Sequence, residues 1–273
     1  MTAEALRCRF RAAIKQEIES DSDKVRMRCQ NDRGANLPGK SRNSGSPSLF
    51  RWLWGKRQLV TRNKAFAPFA RMGLRSLSWL LRGRNLQLRN PRIRQLPYLN
   101  VGSGPRLRPE AINLDYSWYP GIDLVWDATK RLPFTDCRFK GVFTEHCLPH
   151  IPFERVQALL NEVFRVLDRG GVLRIVVPDG GFYIDLYRRA VAGETVQFPF
   201  LEDALDWTPM MKLKWAFRPY FTFVYDFHTL ERMLRKAGFS EVTRESFRRG
   251  HLETVRFDSS DRQCESLYVE GLK

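Results

Sequence analysis

Residues 98–104 read Tyr-Leu-Asn-Val-Gly-Ser-Gly, and Ala111-Ile-Asn-Leu-Asp115 follows shortly afterwards. A short apolar strand runs into a glycine turn, and a carboxylate closes the next apolar run. This is the layout of a nucleoside pocket at the head of an open α/β sheet. The glycines remove side chains where a ligand must lie against the backbone, and the carboxylate can accept hydrogen bonds from both ribose hydroxyls. The turn lacks the third glycine of the dinucleotide fingerprint, and Pro105 takes away a backbone N–H that could hold an anion. No Gly-Lys-Ser/Thr follows. A nucleoside without phosphates therefore fits better, and a dehydrogenase is disfavoured.

Outward from this turn, strand and helix alternate. Strands are expected at Tyr98–Val101, Ala111–Asp115, Asp123–Asp127, Gly141–Glu145 and Val172–Val177. The Val172–Val177 run is apolar enough to be central, and Pro178 ends it. Only ten residues separate Gly104 from Asp115, too few for a crossover helix, so a single turn around Pro109 is expected there. Phe153–Leu167 has the stripe of a core-facing helix, stopped by Gly170-Gly171. Thr229–Ala237 is a second helix closed by Gly238. Strands at Glu241–Phe247 and Ser266–Leu272 finish the chain. Residues 182–227 form an insertion dense in Phe, Tyr and Trp.

Charge divides the chain. Residues 1–97 hold 22 Lys and Arg against 6 Asp and Glu, whereas residues 98–273 hold 24 of each. The basic excess thus lies before the glycine turn, which argues against the folded domain being an electrostatic nucleic-acid binder. Residues 1–48 read as a disordered leader, residues 49–97 as a basic amphipathic helical extension, and 98–273 as the globular domain. In the extension, Phe66, Phe69, Leu74, Leu77 and Leu80/Leu81 recur at helical spacing, with Arg71, Arg75 and Arg82 on another face. Three readings follow: a helix packed on the domain with solvated arginines, peripheral membrane contact through residues 49–90, or, less favoured, nucleic-acid contact. Five scattered cysteines without a Cys-x-x-Cys pair suggest neither disulfides nor a metal site. With no signal-peptide core and no membrane-spanning run, a cytoplasmic location is expected.

From residue 98 onward the chain resembles class I S-adenosylmethionine (SAM)-dependent methyltransferases, particularly the compact methyltransferase type 11 group. The resemblance is carried by Leu99-Asn-Val-Gly-Ser-Gly104, Asn113-Leu-Asp115, Asp127-Ala-Thr-Lys-Arg-Leu-Pro-Phe134, Val142-Phe-Thr-Glu-His-Cys-Leu-Pro-His-Ile151 and Glu162-Val-Phe-Arg-Val-Leu-Asp-Arg-Gly-Gly-Val-Leu173. It implies a Rossmann-like, doubly wound α/β fold: a mainly parallel seven-stranded sheet with an antiparallel C-terminal strand pair, preceded by the basic extension. It implies SAM as cofactor. Asn100, Gly102, Ser103 and Gly104 would line its methionine and ribose side, and Asp115 would hold the ribose hydroxyls. Asp127 and Ala128 would contact adenine, and Thr144, Glu145 and His146 would border the transferring methyl group. Asn100 departs from the family's usual acid and loses a charge partner for the cofactor's ammonium.

Methyl transfer is an in-line displacement, so positioning and water exclusion carry most of the catalysis. A hydroxyl acceptor also needs a base, which suits histidine. His146 and His150 follow the fourth strand and Asp179 the fifth, all at the ligand-bearing edge, and His146 is the preferred base. No Asn/Asp-Pro-Pro-aromatic tetrapeptide follows the fourth strand, which disfavours exocyclic amines of DNA bases. Cys147 reads as a small filler. The expected acceptor is a small molecule or glycan, methylated on oxygen. The glycan expectation rests on relatives that share the Glu-His motif and a C-terminal Ser266-Leu-Tyr-Val-Glu270 and accompany polysaccharide genes. Two rivals stand beside it: an RNA-directed methyltransferase that uses the basic leader, and a cofactor-binding scaffold without turnover.

Overall fold

The computed structural model describes residues 78–83, 88–201, 204 and 206–273. The expected leader and most of the expected extension lie outside the described residues.

The decisive stretch forms β1 (Tyr98–Val101), whose last three residues are buried. It pairs in parallel with β2 (Ile112–Asp115), Val101 opposite Leu114, and on its other side with β4 (Phe139–Glu145), Val101 opposite Thr144. β3 (Leu124–Val125) adds to β2. β5 (Leu167–Pro178) lies parallel to β4, and β7 (Ser266–Leu272) and β6 (Glu241–Glu245) follow antiparallel. The order is β3-β2-β1-β4-β5-β7-β6. This is the expected seven-stranded, mainly parallel sheet with an antiparallel C-terminal pair. The strand order, not the strand direction, reverses between β1 and β4, and ligands of such sheets bind outside the carboxyl ends of the strands at that point.

No helix joins the glycine turn to β2; a turn does, closed by the Ala111 N–H on the Arg108 carbonyl at 3.2 Å. Two buried asparagines stabilise it. Asn113 Oδ1 accepts from Asn100 Nδ2 at 3.1 Å and from the Arg108 N–H at 2.8 Å, while Asn113 Nδ2 donates to the Arg108 carbonyl at 3.0 Å. Amides suit this position because each supplies both donors and an acceptor to backbone that has no helix to satisfy it.

Of the helices, α1 (Pro91–Gln95) precedes β1. α2 (Phe153–Val166) buries Val156, Leu159, Leu160, Val163 and Val166 against the sheet, each contributing about 1.5–3 kcal/mol. α3 (Gly180–Val191) and α4 (Pro209–Ala216) lie in the region of the aromatic insertion, around a small core of Tyr183, Leu186, Phe198 and Ala216. α5 (Phe227–Ala237) ends at Gly238, whose φ of 109° and close approach to the Phe164 ring admit no side chain. Among the described residues no helix is long and apolar enough to cross a membrane.

Three expectations need correction. The third strand is two residues, not five. Its neighbours still bond to β2, through the Asp123 N–H to the Asn113 carbonyl and the Trp126 N–H to the Asp115 carbonyl. The fifth strand starts at Leu167, directly after α2, because the Gly170 N–H and the Gly171 carbonyl both bond to Lys273 and hold the glycines in the sheet. That strand is also not purely apolar, since Arg174 lies fully buried within it.

Candidate active site

The glycine turn is built on two left-handed residues, Gly102 at φ 68° and Gly104 at φ 50°. Their roles differ. A Cβ on Gly102 would stand 2.2 Å from Cys147 Sγ, so this glycine lets the chain after β4 pack beneath the turn. A Cβ on Gly104 would meet no protein atom within 4 Å, so this glycine borders open space at the sheet edge. Asp115 closes the turn from the end of β2. Its Oδ2 accepts from the Gly104 N–H and its Oδ1 from the Ser117 N–H, both at 2.8 Å. Each oxygen keeps acceptor capacity for a hydroxyl. Burial raises the Asp115 carboxyl above its usual range, opposed by backbone N–H groups of Ser117, Gly104 and Tyr116 that favour the charged form.

Beside Asp115, the ends of β2 and β3 enclose a cavity of about 280 Å³. Asp127, Trp126 and Lys130 line it from the β3 side, and Tyr116, the residue after Asp115, from the β2 side. Asp127 Oδ1 accepts from the Thr129 N–H at 3.0 Å and its hydroxyl at 2.7 Å, which fixes the carboxylate at the cavity wall. Ala128 packs half-buried on the main core. The opposite wall comes from residues 78–83, with Trp79 and Arg82. The amphipathic reading assigned Arg82 to a solvated face. Its guanidinium instead lies 3.4 Å from the centroid of the Tyr116 ring, while Trp79 and Leu80 are exposed and Ser78 is buried.

At the end of β4, Thr144 is buried and Glu145 is engaged within the protein. Glu145 Oε1 accepts from the Ser259 N–H at 2.8 Å; Oε2 accepts from the Ser259 hydroxyl at 2.6 Å and from Arg106 at 3.2 Å. Arg106 also pairs with Asp261 at 2.7 Å. The carboxylate thus ties the segment around residue 259 to the glycine turn. His146 follows with φ 52°, a left-handed conformation rare outside glycine and asparagine. Its Nε2 lies 3.3 Å from Ser266 Oγ, and that hydroxyl donates its proton to the Arg262 carbonyl at 2.7 Å. With that hydroxyl donating to Arg262, Ser266 is placed to accept from His146, the arrangement that matches the tautomer protonated on Nε2 with the lone pair on Nδ1. Burial first, then Arg262, Arg106, Arg218 and His150, hold the His146 pKa down to about 3. Burial pushes the Cys147 thiol up to about 12, as befits a filler.

Two expected site residues have other partners. Asn100 donates through Nδ2 to Asn113 and to the Arg106 carbonyl, which commits both of its N–H groups to the β1–β2 turn and leaves its Oδ1 as the acceptor. Asp179 caps α3 through the Phe182 N–H at 3.2 Å and pairs with Arg244 at 2.7 Å, so each of its oxygens has a protein partner. Ser103 is buried with its N–H on the Leu114 carbonyl. His150 stacks on Tyr220 at 5.6 Å and meets the edge of Phe221 at 5.5 Å, and the resulting desolvation lowers its pKa.

A nucleoside fits the adenosine end of this site: a carboxylate with free lone pairs, open space at Gly104 and a cavity with a fixed carboxylate follow one another along the sheet edge. Sequence reasoning missed Arg106, Ser259, Arg262, Ser266, Trp79 and Tyr116. Only Arg106 and Tyr116, directly adjacent to the turn and to Asp115, carried a local signal.

Residues 107–175 match the family described as Methyltransferase domain. No curated protein sequence matches the chain. Among solved structures, a SAM-dependent methyltransferase from Archaeoglobus fulgidus is 15% identical with a TM-score of 0.41, covering 69% of this chain and 93% of its own. Another from Thermotoga maritima is 18% identical with a TM-score of 0.40, covering 68% and 87%. Phosphoethanolamine N-methyltransferase 2 of Haemonchus contortus, solved with S-adenosyl-L-methionine, is 12% identical with a TM-score of 0.36, covering 70% and 53%.

Proposed function

We propose that this chain, which carries a methyltransferase domain and uses S-adenosylmethionine, transfers the methyl group to an oxygen of a small-molecule or glycan acceptor. The observation that carries the acceptor reading is His146. It stands at the C-terminal edge of β4 with Nε2 committed to Ser266 and Nδ1 unprotonated. When bound, the cofactor supplies an electrophilic methyl group on sulfur. The chain's own residues do the rest.

Gly104 leaves the backbone open for the ligand, and Asp115 orients the ribose through the lone pairs its backbone partners do not use. Asp127 faces the base. His146 remains neutral through the whole physiological range and takes the acceptor's proton at Nδ1 as the new bond forms. Glu145, Arg106 and Ser259 position the turn and the C-terminal segment on either side of this point. Cys147 takes no part as a nucleophile, since its thiol stays protonated.

The test is calorimetry with S-adenosylhomocysteine, the demethylated product, on the full chain and on Asp115→Ala. Wild type is expected to bind and Asp115→Ala to bind much more weakly. Absence of wild-type binding sinks the cofactor reading; equal binding by both sinks the ribose role of Asp115. Transfer of labelled methyl to hydroxylated acceptors, abolished in His146→Gln with product binding retained, tests the base. Unchanged turnover in that variant rejects it.

A further inference from the structure

The wall of the cavity opposite Asp127 is not supplied by the sheet. Trp79 and Arg82 face Tyr116, Trp126, Asp127 and Lys130 across about 280 Å³, close to the lower end of small-ligand pockets. Three hydrogen bonds fasten the segment there. Ser78 Oγ accepts from the Trp118 N–H at 2.8 Å, Arg82 Nε donates to the Tyr116 carbonyl at 3.1 Å, and the Gly83 N–H donates to the Val125 carbonyl at 3.2 Å. Between these anchors the Arg82 guanidinium lies over the Tyr116 ring, 3.4 Å from its centroid. The helical turn ends at Gly83, which has a left-handed φ of 73°.

Trp79 remains 74% exposed. A lone exposed apolar side chain is ordinary. This one differs because hydrogen bonds hold the backbone on both sides of it and the residue borders a cavity whose lining includes a carboxylate. An indole face fixed beside a polar-rimmed cavity is the arrangement that stacks a flat heteroaromatic base. We propose that residues 78–83, within the basic extension, form the outer wall of the adenine pocket, with Trp79 as its stacking face and Arg82 as the clamp that holds Tyr116 in place. This assignment rests on the cofactor reading above. It makes this short part of the basic extension a part of the cofactor site.

Titration of the full chain with S-adenosylhomocysteine, and separately with adenosine, tests it on wild type, Trp79→Ala and Trp79→Phe. Trp79→Ala is expected to bind both ligands about tenfold more weakly, the usual loss when a stacking aromatic is truncated. Trp79→Phe, which keeps an aromatic face, should stay within about threefold of wild type. The factor should be the same for both ligands, because Trp79 borders only the adenosine end. Since the side chain is exposed, Trp79→Ala should melt with wild type, which separates lost binding from lost folding. Wild-type affinity in Trp79→Ala overturns the assignment and leaves the cofactor reading intact. Absence of binding by wild type overturns both.

Discussion

Gly102 and Gly104 share a conformation and differ in what surrounds them, so alanine should separate their roles. Gly104→Ala puts a non-glycine residue in the left-handed region, at about 1–2 kcal/mol, and places its methyl in the space left for the ligand. It should weaken S-adenosylhomocysteine binding with only that modest loss of stability. Gly102→Ala adds a collision with Cys147 to the same backbone penalty, about 1–3 kcal/mol more. Denaturant unfolding should rank it clearly below Gly104→Ala; the reverse order would refute the division of labour. His146 makes a prediction in pH. Its folded pKa of about 3 lies below the ordinary histidine value of 6.5, so between those values the unfolded chain binds a proton that the folded chain does not. The stability it contributes is full above pH 6.5 and is lost progressively as pH falls towards 3. Wild type should therefore lose stability over that window more steeply than His146→Gln, by up to about 1.4 kcal/mol per pH unit. Parallel curves would show that His146 titrates normally.

Caps decide where several elements begin. Asp226 caps α5 by accepting from the Thr229 N–H at 2.8 Å, and Asp226→Ala should cost about 1 kcal/mol in denaturant unfolding. Asp179 caps α3 in the same way, while its partner Arg244 is largely exposed. Asp179→Asn keeps a capping oxygen and gives up the charge that this buried carboxylate pairs with the exposed Arg244 guanidinium. Stability and methyl transfer should both stay near wild type. A large loss of turnover with normal product binding would restore Asp179 to the chemistry. The asparagines of β1 and β2 act at this scale too, replacing a crossover helix with side-chain amides.

Across the whole molecule, Arg174 links the sheet to the segment between β6 and β7. Fully buried, it spends its five N–H groups on Asp258 twice, Glu270, and the carbonyls of Ser246 and Arg249. That cluster fixes residues 246–258, from which Ser259 reaches Glu145 and Asp261 reaches Arg106. Arg174→Met leaves two buried carboxylates without their cation and should destabilise by about 3–5 kcal/mol in denaturant unfolding. Arg174→Lys should recover little, because an ammonium cannot satisfy the forked geometry. Near-wild-type stability of Arg174→Met would mean that the cluster contributes nothing net.

By itself the sequence determined the sheet, the absence of a first crossover helix, the α2 stripe, the glycine turn and Asp115. Each depends on neighbours within a few residues: alternation, helical spacing, a glycine that permits φ above zero, a connection too short for a helix. Only the tertiary structure decided which polar groups are free to act. Asn100, Glu145 and Asp179 look available in the sequence and are engaged in the fold. Arg82 finds Tyr116, Arg174 finds Glu270, and Ser259 finds Glu145 at separations of 34, 96 and 114 residues. Such pairings form only when the chain closes on itself, and no local spacing encodes them.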